Sequence, residues 1–252
     1  MSRFFALPAR LNKTFSGINL LAPLALALSF SVSCSSRITK DTIVSADSSH
    51  FVSVKKVSPT IQTEMRYFGF NNFVGRPIAG YKSATCYLTR EAAFGLLRVQ
   101  QELEKDGLSL RVYDCYRPQK AVDDFIAWSK NPNDQKTKAE FYPNVDKSKV
   151  FELGYVASRS GHTRGSTVDL TLVNLKNENA PLDMGTPYDF FSPRSATADP
   201  SVIGVARENR DRLKSLMEKH GFKNYEKEWW HFTLNDEPYP NIYFDFNIEE
   251  KY

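Results

Sequence analysis

Residues 160–173 read SGHTRGSTVDLTLV, and the second half of this stretch decides the architecture of the chain. From position 167 onward polar and apolar residues alternate, which is the period of a β-strand with one face in the core. The even-numbered residues are apolar and share the core face, whereas Asp169 lies on the opposite face. The stretch therefore predicts a sheet that directs a carboxylate away from its apolar face.

Helical and extended segments surround this strand on both sides, which is typical of an α+β domain. The predicted elements are a helix from Thr89 to Lys105, a strand from Leu108 to Tyr116, a helix that begins at Pro118, a helix from Pro200 to Lys219 and a strand from Trp229 to Leu234. The last helix is expected to bury Val202, Val205, Leu213, Leu216 and Met217. We expect a single domain with a central, mainly antiparallel sheet, flanking helices and a cleft over the sheet.

The first 33 residues have the organisation of a secretory signal. Its basic region contains Arg3, Arg10 and Lys13, and an apolar core of 11 residues runs from Leu20 to Phe30. This core is too short to span a bilayer comfortably. The predicted division of the chain is a signal peptide at 1–33, a polar tether at 34–52 and one domain at 53–252.

The end of the signal, Val32-Ser33-Cys34, resembles a bacterial lipobox, in which the cysteine is lipidated after cleavage. Ser31 departs from that motif, which usually carries leucine at this position. The alternative is ordinary cleavage near Ser33 with an incidental cysteine. In either case we expect an exported protein. It would be free in the periplasm, or anchored to a membrane with its domain facing the periplasm.

Removal of the predicted signal also changes the charge of the chain. The 252 residues carry a formal net charge of +4, and cleavage before Cys34 leaves 219 residues with a net charge of +1. A chain of that length forms one domain with a sizeable core. Its nearly neutral charge argues against nucleic acid as a partner.

Cys86 and Cys115 are the only cysteines besides Cys34. In an oxidising compartment, two cysteines on one domain are expected to form a disulfide. Closing a loop of about 30 residues stabilises a fold by roughly 3 kcal/mol in the chain-entropy model. Two buried free thiols are the alternative.

His162, Asp169 and His231 are candidate ligands of a zinc ion, and Glu228 stands close to His231 in sequence. Two imidazoles and a carboxylate leave the fourth position of a tetrahedral zinc for water, as in catalytic sites. Taken alone the spacing is a weak signal, because each residue could be a satisfied polar group in the core. In an uninterrupted strand Glu228 and His231 would point to opposite faces, so Glu228 must lie on a turn or bulge before the strand.

The residues around these candidates carry a family resemblance. Segment 160–169 resembles the motif S-x-H-x-x-G-x-A-x-D of the D-alanyl-D-alanine dipeptidases, VanX-type zinc peptidases related to cell-wall DD-carboxypeptidases, with Thr167 in place of alanine. The run Glu228-Trp-Trp-His231 resembles the second motif of this family. Further matches are Asn72-Phe-Val-Gly75, Tyr116-Arg-Pro118, Met184-Gly-Thr186, Tyr188-Asp-Phe190, Glu237-Pro-Tyr-Pro-Asn241 and Tyr243-Phe-Asp-Phe246.

The resemblance implies a role for each matched position. His162, Asp169 and His231 would hold one zinc ion, and Glu228 would act as the general base toward the zinc-bound water. Arg117 would stabilise the negative tetrahedral intermediate, since a guanidinium keeps its charge and offers several donors. On the residue alone, Arg117 could instead form a surface salt bridge at the end of a strand.

Recognition of a free dipeptide needs a carboxylate for the substrate ammonium. The resemblance places Asp189 there, with Tyr67 as its hydroxyl partner. An N-blocked peptide would leave Asp189 buried and unpaired, at a cost of roughly 2–5 kcal/mol. Asp189 could otherwise be a capping carboxylate. Ser160 and Tyr81 are candidates for lining the cavity, and either could equally be structural.

Together these expectations describe an exported zinc dipeptidase that hydrolyses D-alanyl-D-alanine to two D-alanines. Its partner would be the small dipeptide, with membrane attachment through a lipidated Cys34. One alternative is a DD- or LD-carboxypeptidase that trims peptidoglycan stem peptides, which would need an open cleft without an ammonium-binding aspartate. The other is a non-catalytic zinc-binding or cell-wall-binding module, which Glu228 argues against because such a module needs no general base.

Overall fold

Short strands and three longer helices alternate along the residues that the computed structural model describes, 42–44 and 47–250. The strands are β1 (Thr42–Val44), β2 (Phe51–Ser53), β3 (Gln62–Thr63), β4 (Tyr87–Thr89), β5 (Leu108–Asp114), β6 (Thr167–Asn174), β7 (Ala180–Pro181), β8 (Phe222–Asn224), β9 (His231–Leu234) and β10 (Ile242–Phe244). The helices are α1 (Val54–Val57), α2 (Arg90–Lys105), α3 (Gln119–Ser129), α4 (Lys138–Phe141) and α5 (Gly204–Lys219).

Six strands form the main sheet, in the order β3-β5-β6-β9-β8 with β7 paired to β6. Every pairing in it is antiparallel except that of β3 with β5. The longest strand, β6, lies in the middle, and α2 packs against β5 while α5 packs against β8. The predicted α+β class, with a central and mainly antiparallel sheet flanked by helices, is confirmed.

The strand β6 is buried along both of its faces. Its apolar residues are covered completely, and the polar residues Thr167, Asp169 and Thr171 are at most 2% exposed. The predicted alternation is therefore present, and the polar face forms a second buried layer. Because this layer is in the interior, charged groups on it interact more strongly than they would in water.

The helix α5 begins at Gly204 rather than at the predicted Pro200. The Asp199 carboxylate accepts a hydrogen bond from the N–H of Ser201 at 2.9 Å, and this local turn competes with helix formation. The buried face of the helix is also narrower than predicted, because Val205 is 64% exposed. The other predicted core residues of this segment are buried or half-buried: Val202, Leu213, Leu216 and Met217.

The folded part of the chain extends into the predicted tether at 34–52. Strand β1 pairs in parallel with β10, and β2 pairs with β4, although both begin before residue 53. Phe51 is buried against the rings of Phe244 and Phe246. The predicted signal peptide and Cys34 lie outside the described residues. Within residues 42–44 and 47–250, no helix has the length and apolar character needed to cross a membrane.

A disulfide joins Cys86 and Cys115, whose Cα atoms lie 5.4 Å apart. Both cysteines are buried. The bridge connects the residue before β4 to the residue after β5, so the loop that it closes contains all of α2. Of the two arrangements that the sequence left open, the structure contains the disulfide.

Candidate metal centre

Three neighbouring strands bring polar residues to one place on the buried polar face of the sheet. Asp169 of β6 lies opposite Asp114 of β5 on one side and opposite His231 of β9 on the other. Opposed residues of antiparallel strands have Cβ atoms about 4.5–5.5 Å apart and share a face. A register shift between Val112 and Asp114 in β5 brings Asp114 into this row. The strand register thus sets two carboxylates and an imidazole side by side.

His162 reaches the row from a 3₁₀ turn, Gly161–Arg164, that leads into β6. The Ser160 hydroxyl caps this turn by accepting a hydrogen bond from the N–H of His162 at 3.2 Å. Gly165 then adopts a φ of +83°, in the left-handed region that glycine tolerates, and the chain turns into the strand. The His162 side chain is thereby 1% exposed and faces Asp169.

Side-chain atoms of His162, Asp169 and His231 converge on one point. His162 Nε2 lies 3.2 Å from Asp169 Oδ1, His231 Nδ1 lies 3.1 Å from the same oxygen, and the two ring nitrogens are 3.3 Å apart. Bonds of about 2.0–2.1 Å to a tetrahedral zinc would separate its ligand atoms by roughly 3.3 Å. The three atoms therefore have the spacing of one face of a tetrahedral metal site.

The protonation of His162 also fits a cation. Its Nδ1 lies 2.7 Å from the carbonyl oxygen of Cys115, a contact that requires Nδ1 to donate a proton. Nε2 therefore presents a lone pair to Asp169 Oδ1, a buried oxygen that accepts no hydrogen bond of ordinary geometry from the described residues. Burial lowers the pKa of His162 and favours this neutral form. Lone pairs that converge in this way repel each other unless a cation lies between them, so these residues fit a metal ion.

Asp169 stays ionised although it is buried. Burial opposes its charge, but the imidazoles of His162 and His231, in the forms that carry a proton toward it, more than offset this and hold the pKa of Asp169 well below its usual range. Burial also opposes the charge of His231, and Asp169 raises the pKa of that imidazole. The Tyr188 hydroxyl donates to Asp169 Oδ2 at 3.0 Å, which leaves Oδ1 directed at the two rings.

Glu228 lies on a tight turn before β9, which meets the geometric condition derived from the sequence. The N–H of Glu228 donates to the Tyr225 carbonyl, and the N–H of His231 donates to the Glu228 carbonyl. Glu228 Oε2 lies 3.6 Å from His231 Nδ1, so the carboxylate borders the candidate metal site. Burial raises the pKa of Glu228 to about 7, against the opposing effect of His231. A carboxylate with this pKa can both accept and return a proton near neutral pH.

Arg117 faces the same cavity and is held there by Asp114. Its Nε and Nη2 both lie 2.9 Å from Asp114 Oδ2, and Nη2 lies 3.7 Å from Asp169 Oδ2. The guanidinium carbon lies 5.0 Å from the ring centroid of Tyr67 and 5.2 Å from that of Phe125. Burial disfavours its charge, but Asp114 and the neighbouring groups of Tyr67, Tyr81 and Asp169 together outweigh burial, and the pKa of Arg117 is raised well above its ordinary value. Arg117 is thus a fixed cation at the cavity and not an exposed ion pair.

Asp189 is a second buried carboxylate of this cavity and is 6% exposed. Its backbone φ is +58°, which is uncommon for a residue other than glycine and often marks functional sites. The Tyr67 hydroxyl donates to Asp189 Oδ2 at 2.8 Å. Burial, and then the charge of Asp169, raise the pKa of Asp189 well above its ordinary value. An added cationic group would stabilise the ionised form of this carboxylate.

The cavity that joins these groups has a volume of about 300 Å³. Ser160 lines it, as predicted, and so does Tyr67, the predicted partner of Asp189. Tyr81 does not, and its hydroxyl instead donates to Asp114 Oδ1 at 2.6 Å from a buried position. The apolar part of the lining consists of Phe73, Val122, Phe125 and Phe191 among others.

Two residues of the site were missed by reasoning from the sequence. Asp114 is fully buried and holds Arg117, and Tyr188 hydrogen-bonds Asp169. Asp114 stands two residues before the Tyr116-Arg-Pro118 match, and Tyr188 begins the Tyr188-Asp-Phe190 match, but the sequence assigned no role to either residue. The role of each depends on the strand register and the folded loops, which the sequence pattern does not specify.

Known peptidases are similar to this chain over nearly all of the described residues. A family model described as D-ala-D-ala dipeptidase matches residues 47–249. The D-alanyl-D-alanine dipeptidase of Enterococcus faecium is 39% identical over 199 residues, which cover 79% of this chain and 98% of that protein. The D-alanyl-D-alanine dipeptidase of Streptomyces coelicolor is 41% identical over 198 residues, with the same 79% and 98% coverage.

Among solved structures, a mutant of the vancomycin resistance D,D-pentapeptidase VanY in complex with Zn(II) has a TM-score of 0.36 and 15% identity, covering 62% of this chain and 76% of that chain. The family model and the two dipeptidases each match well over half of the chain. The chain is therefore an enzyme that belongs to the D-Ala-D-Ala dipeptidase family of metallopeptidases.

Proposed function

We propose that this enzyme is a zinc-dependent dipeptidase that hydrolyses D-alanyl-D-alanine to two molecules of D-alanine. One observation carries the proposal: the cluster of His162, Asp169 and His231 shares a cavity of about 300 Å³ with the buried carboxylate of Asp189. A metal cluster beside a carboxylate base suits hydrolysis, and a second buried acid suits a free ammonium. The names of the two dipeptidase relatives support the choice of substrate.

His162, Asp169 and His231 would hold one zinc ion per chain. Two imidazoles and one carboxylate form the donor set of hydrolytic zinc sites, which keep a fourth position open. When bound, zinc would lower the pKa of a coordinated water toward about 7 and would polarise the scissile carbonyl. The hydrogen bond from His162 to the Cys115 carbonyl supports this reading, because it leaves Nε2 free of a proton.

Glu228 would take the proton from the attacking water and pass it to the leaving amine. Its position beside His231 and its pKa of about 7 suit both halves of this transfer. Arg117, whose charge Asp114 secures, would face the carbonyl oxygen that becomes negative as water adds. A guanidinium in a largely buried cavity stabilises such an oxyanion more strongly than one in bulk water.

Asp189 would restrict the substrate to peptides with a free amino terminus. Its carboxylate is buried and hydrogen-bonds to Tyr67, so a substrate ammonium would complete an ion pair inside the cavity. A blocked amine would leave that charge unpaired, which costs roughly 2–5 kcal/mol. The same residue would therefore separate a dipeptidase from a carboxypeptidase that trims longer stems.

The direct test is an assay of the purified protein with D-Ala-D-Ala, L-Ala-L-Ala and N-acetyl-D-Ala-D-Ala. We expect rapid release of D-alanine from the first peptide alone. A chelator should abolish this activity, and added zinc should restore it. The two free dipeptides have the same size, so their comparison isolates stereochemistry. The acetyl group removes the charge of the amine and also adds bulk, so the third peptide tests the amine and the closed end of the cavity together.

Other outcomes of this assay would support a different function. Hydrolysis of the N-acetylated peptide at a rate similar to that of the free dipeptide would favour a carboxypeptidase. Zinc binding without hydrolysis of any of these peptides would favour a non-catalytic module. Activity that survives complete removal of metal would contradict the proposed chemistry.

We also propose that the enzyme is exported and is held at the membrane by a lipidated Cys34, facing the periplasm. The basic and apolar segments of the first 33 residues support this proposal, as does the lipobox-like ending Val32-Ser33-Cys34. Cell fractionation should place the wild-type protein in the membrane fraction and the Cys34→Ser variant in the soluble periplasmic fraction. A full-length protein in the cytoplasm, with its first residues intact, would contradict export.

A further inference from the structure

The carbonyl of Cys115 orients the ring of His162, because it accepts the Nδ1 proton at 2.7 Å. This carbonyl lies just beyond β5, which ends at Asp114, so the ladder of the sheet does not fix its direction. Other contacts must therefore hold the peptide unit in place. The covalent one is the disulfide from Cys115 to Cys86.

That disulfide fastens Cys115 to a strand that also holds the turn carrying His162. Cys86 immediately precedes β4. Within β4 the N–H of Thr89 donates to the carbonyl of Gly165 at 2.8 Å, and Gly165 ends the His162 turn. His162, which donates this hydrogen bond, and Cys115, whose carbonyl accepts it, are therefore both attached to β4. His162 is attached through Gly165 and Thr89, and Cys115 is attached through the disulfide to Cys86.

Weaker contacts would remain if the disulfide were opened. The N–H of Tyr116 donates to the Tyr87 carbonyl at 2.9 Å, and the N–H of Arg117 donates to the His162 carbonyl at 3.3 Å. These hydrogen bonds can keep the segment after β5 near β4. The N–H of Tyr116 belongs to the same peptide plane as the Cys115 carbonyl, so its hydrogen bond to Tyr87 also orients that carbonyl, but it is weaker than the covalent link from Cys115 to Cys86, the neighbour of Tyr87. We therefore expect the fold to persist after reduction while the orientation of the His162 ring becomes less restricted.

We propose that the Cys86–Cys115 disulfide is a positioning element of the metal centre, and that its reduction weakens zinc binding. This inference rests on the metal site proposed above. Loss of contacts that orient a metal ligand lowers metal affinity by roughly 10- to 100-fold. In the reduction, two thiols of a reductant supply two electrons and two protons, the S–S bond becomes two S–H groups, and the reductant becomes a disulfide.

Linkage makes the effect reciprocal. If the disulfide raises the affinity for zinc by some factor, bound zinc must favour the disulfide over the dithiol by the same factor. As long as the reduced chain stays folded, which far-UV circular dichroism can check, a disulfide that only stabilises the fold would show no such coupling. This distinction allows the inference to be tested on the unmodified protein.

The first experiment measures the zinc dissociation constant by competition with a chelating dye. It compares the oxidised wild-type chain with the double variant Cys86→Ala and Cys115→Ala. We expect binding at least about tenfold weaker in the double variant, together with an altered visible absorption spectrum of the Co(II)-substituted site. The matched control is Leu213→Ala in α5, a fully buried residue outside the site, which should lower Tm and leave the zinc dissociation constant unchanged.

The second experiment needs no variant. Oxidised wild-type chain is equilibrated in glutathione buffers with and without excess zinc, and its free thiols are counted by alkylation and mass spectrometry. Zinc should shift the glutathione ratio for half-reduction by at least about tenfold toward stronger reducing conditions. An unchanged ratio would overturn the inference even if the alanine variants failed to fold. An oxidised chain that binds no zinc at all would instead overturn the proposed metal site.

Discussion

At the scale of single residues, the roles of four similar carboxylates follow from their neighbours. Asp169 faces two imidazoles that favour its charge, whereas Asp189 and Glu228 hold a proton more tightly because they are buried. Asp114 is paired with Arg117 and fixes that guanidinium. The proposed metal ligand, ammonium site, general base and positioning group would thus be one functional group in four different environments.

The substitution Glu228→Gln tests the proposed base. The amide keeps the size of the side chain but cannot accept the proton, so we expect kcat to fall by roughly 10²- to 10⁴-fold while zinc stays bound. Metal analysis and steady-state kinetics on the same preparation check both points. Glu226→Gln, an exposed position on the same turn, serves as the control and should retain wild-type turnover. A fully active Glu228→Gln protein would exclude this residue as the base.

The substitution Asp189→Asn tests recognition of the substrate amine. Removing the negative charge should lower kcat/KM for D-Ala-D-Ala by roughly 30-fold or more, which corresponds to the lower part of the 2–5 kcal/mol range for a buried charge pair. Tyr67→Phe, which removes only the hydroxyl partner of Asp189, should cause a smaller loss. An unchanged kcat/KM in Asp189→Asn would place the ammonium elsewhere.

The same substitution should stabilise the metal-free protein. Because burial raises the pKa of Asp189, the folded chain holds this proton in a pH range where the unfolded chain, with an aspartate pKa of about 3.9, has released it. The free energy of unfolding of the wild type should therefore fall, relative to Asp189→Asn, by up to about 1.4 kcal/mol per unit as pH rises above 4. Urea denaturation across this range measures the difference. The control is Asp236→Asn at an exposed position, whose unfolding free energy should change with pH as that of the wild type does. If the curve of Asp189→Asn also ran parallel to that of the wild type, the raised pKa of Asp189 would be refuted.

At the scale of elements, patterns in the sequence predicted what depends on local signals. The helix α2 ends at Lys105, as predicted, before Gly107 with its φ of +73°. The turn at Glu228 followed from the alternation of side chains along a strand. Asp114 could not be predicted, because its place in the site requires a register shift in β5 and a hydroxyl from Tyr81. The His162 ring donates the hydrogen bond that fixes it to a backbone carbonyl, and a backbone acceptor carries no sequence signature.

The turn between His162 and β6 depends on Gly165. A Cβ atom there would overlap Cε1 of Phe51, and the backbone φ is +83°. Gly165→Ala should therefore lower the free energy of unfolding by about 1–3 kcal/mol. Gly221→Ala is the matched control, because Gly221 has a φ of +91° but no atom within 4 Å of the added Cβ. Thermal unfolding of both variants separates the effect of backbone strain from that of the clash with Phe51. An equal loss of unfolding free energy in the two variants would show that the clash contributes nothing.

At the scale of the whole molecule, segments distant in sequence meet around one cavity. The groups that line it come from residues 67–73, 117–125, 154–169, 189–191 and 225–231. Converging buried charges cost folding free energy when their ligands are absent. Zinc bound at the proposed site would require the folded arrangement, so it should raise Tm. At a free zinc concentration of 100 times its dissociation constant the gain is about 2.7 kcal/mol. In the variant His231→Ala, added zinc should raise Tm much less than in the wild type. A rise in Tm equal to that of the wild type would argue against His231 as a ligand.

The most direct test of the central claim is an anomalous diffraction map, recorded at the zinc absorption edge, from crystals of the zinc-loaded protein. We predict one strong peak per chain, about 2.0–2.2 Å from Nε2 of His162, Nδ1 of His231 and a carboxylate oxygen of Asp169. The carboxylate of Glu228 should border the peak without binding it. The absence of a peak, or a peak held by other residues or by the opposite ring nitrogens, would contradict the site described here.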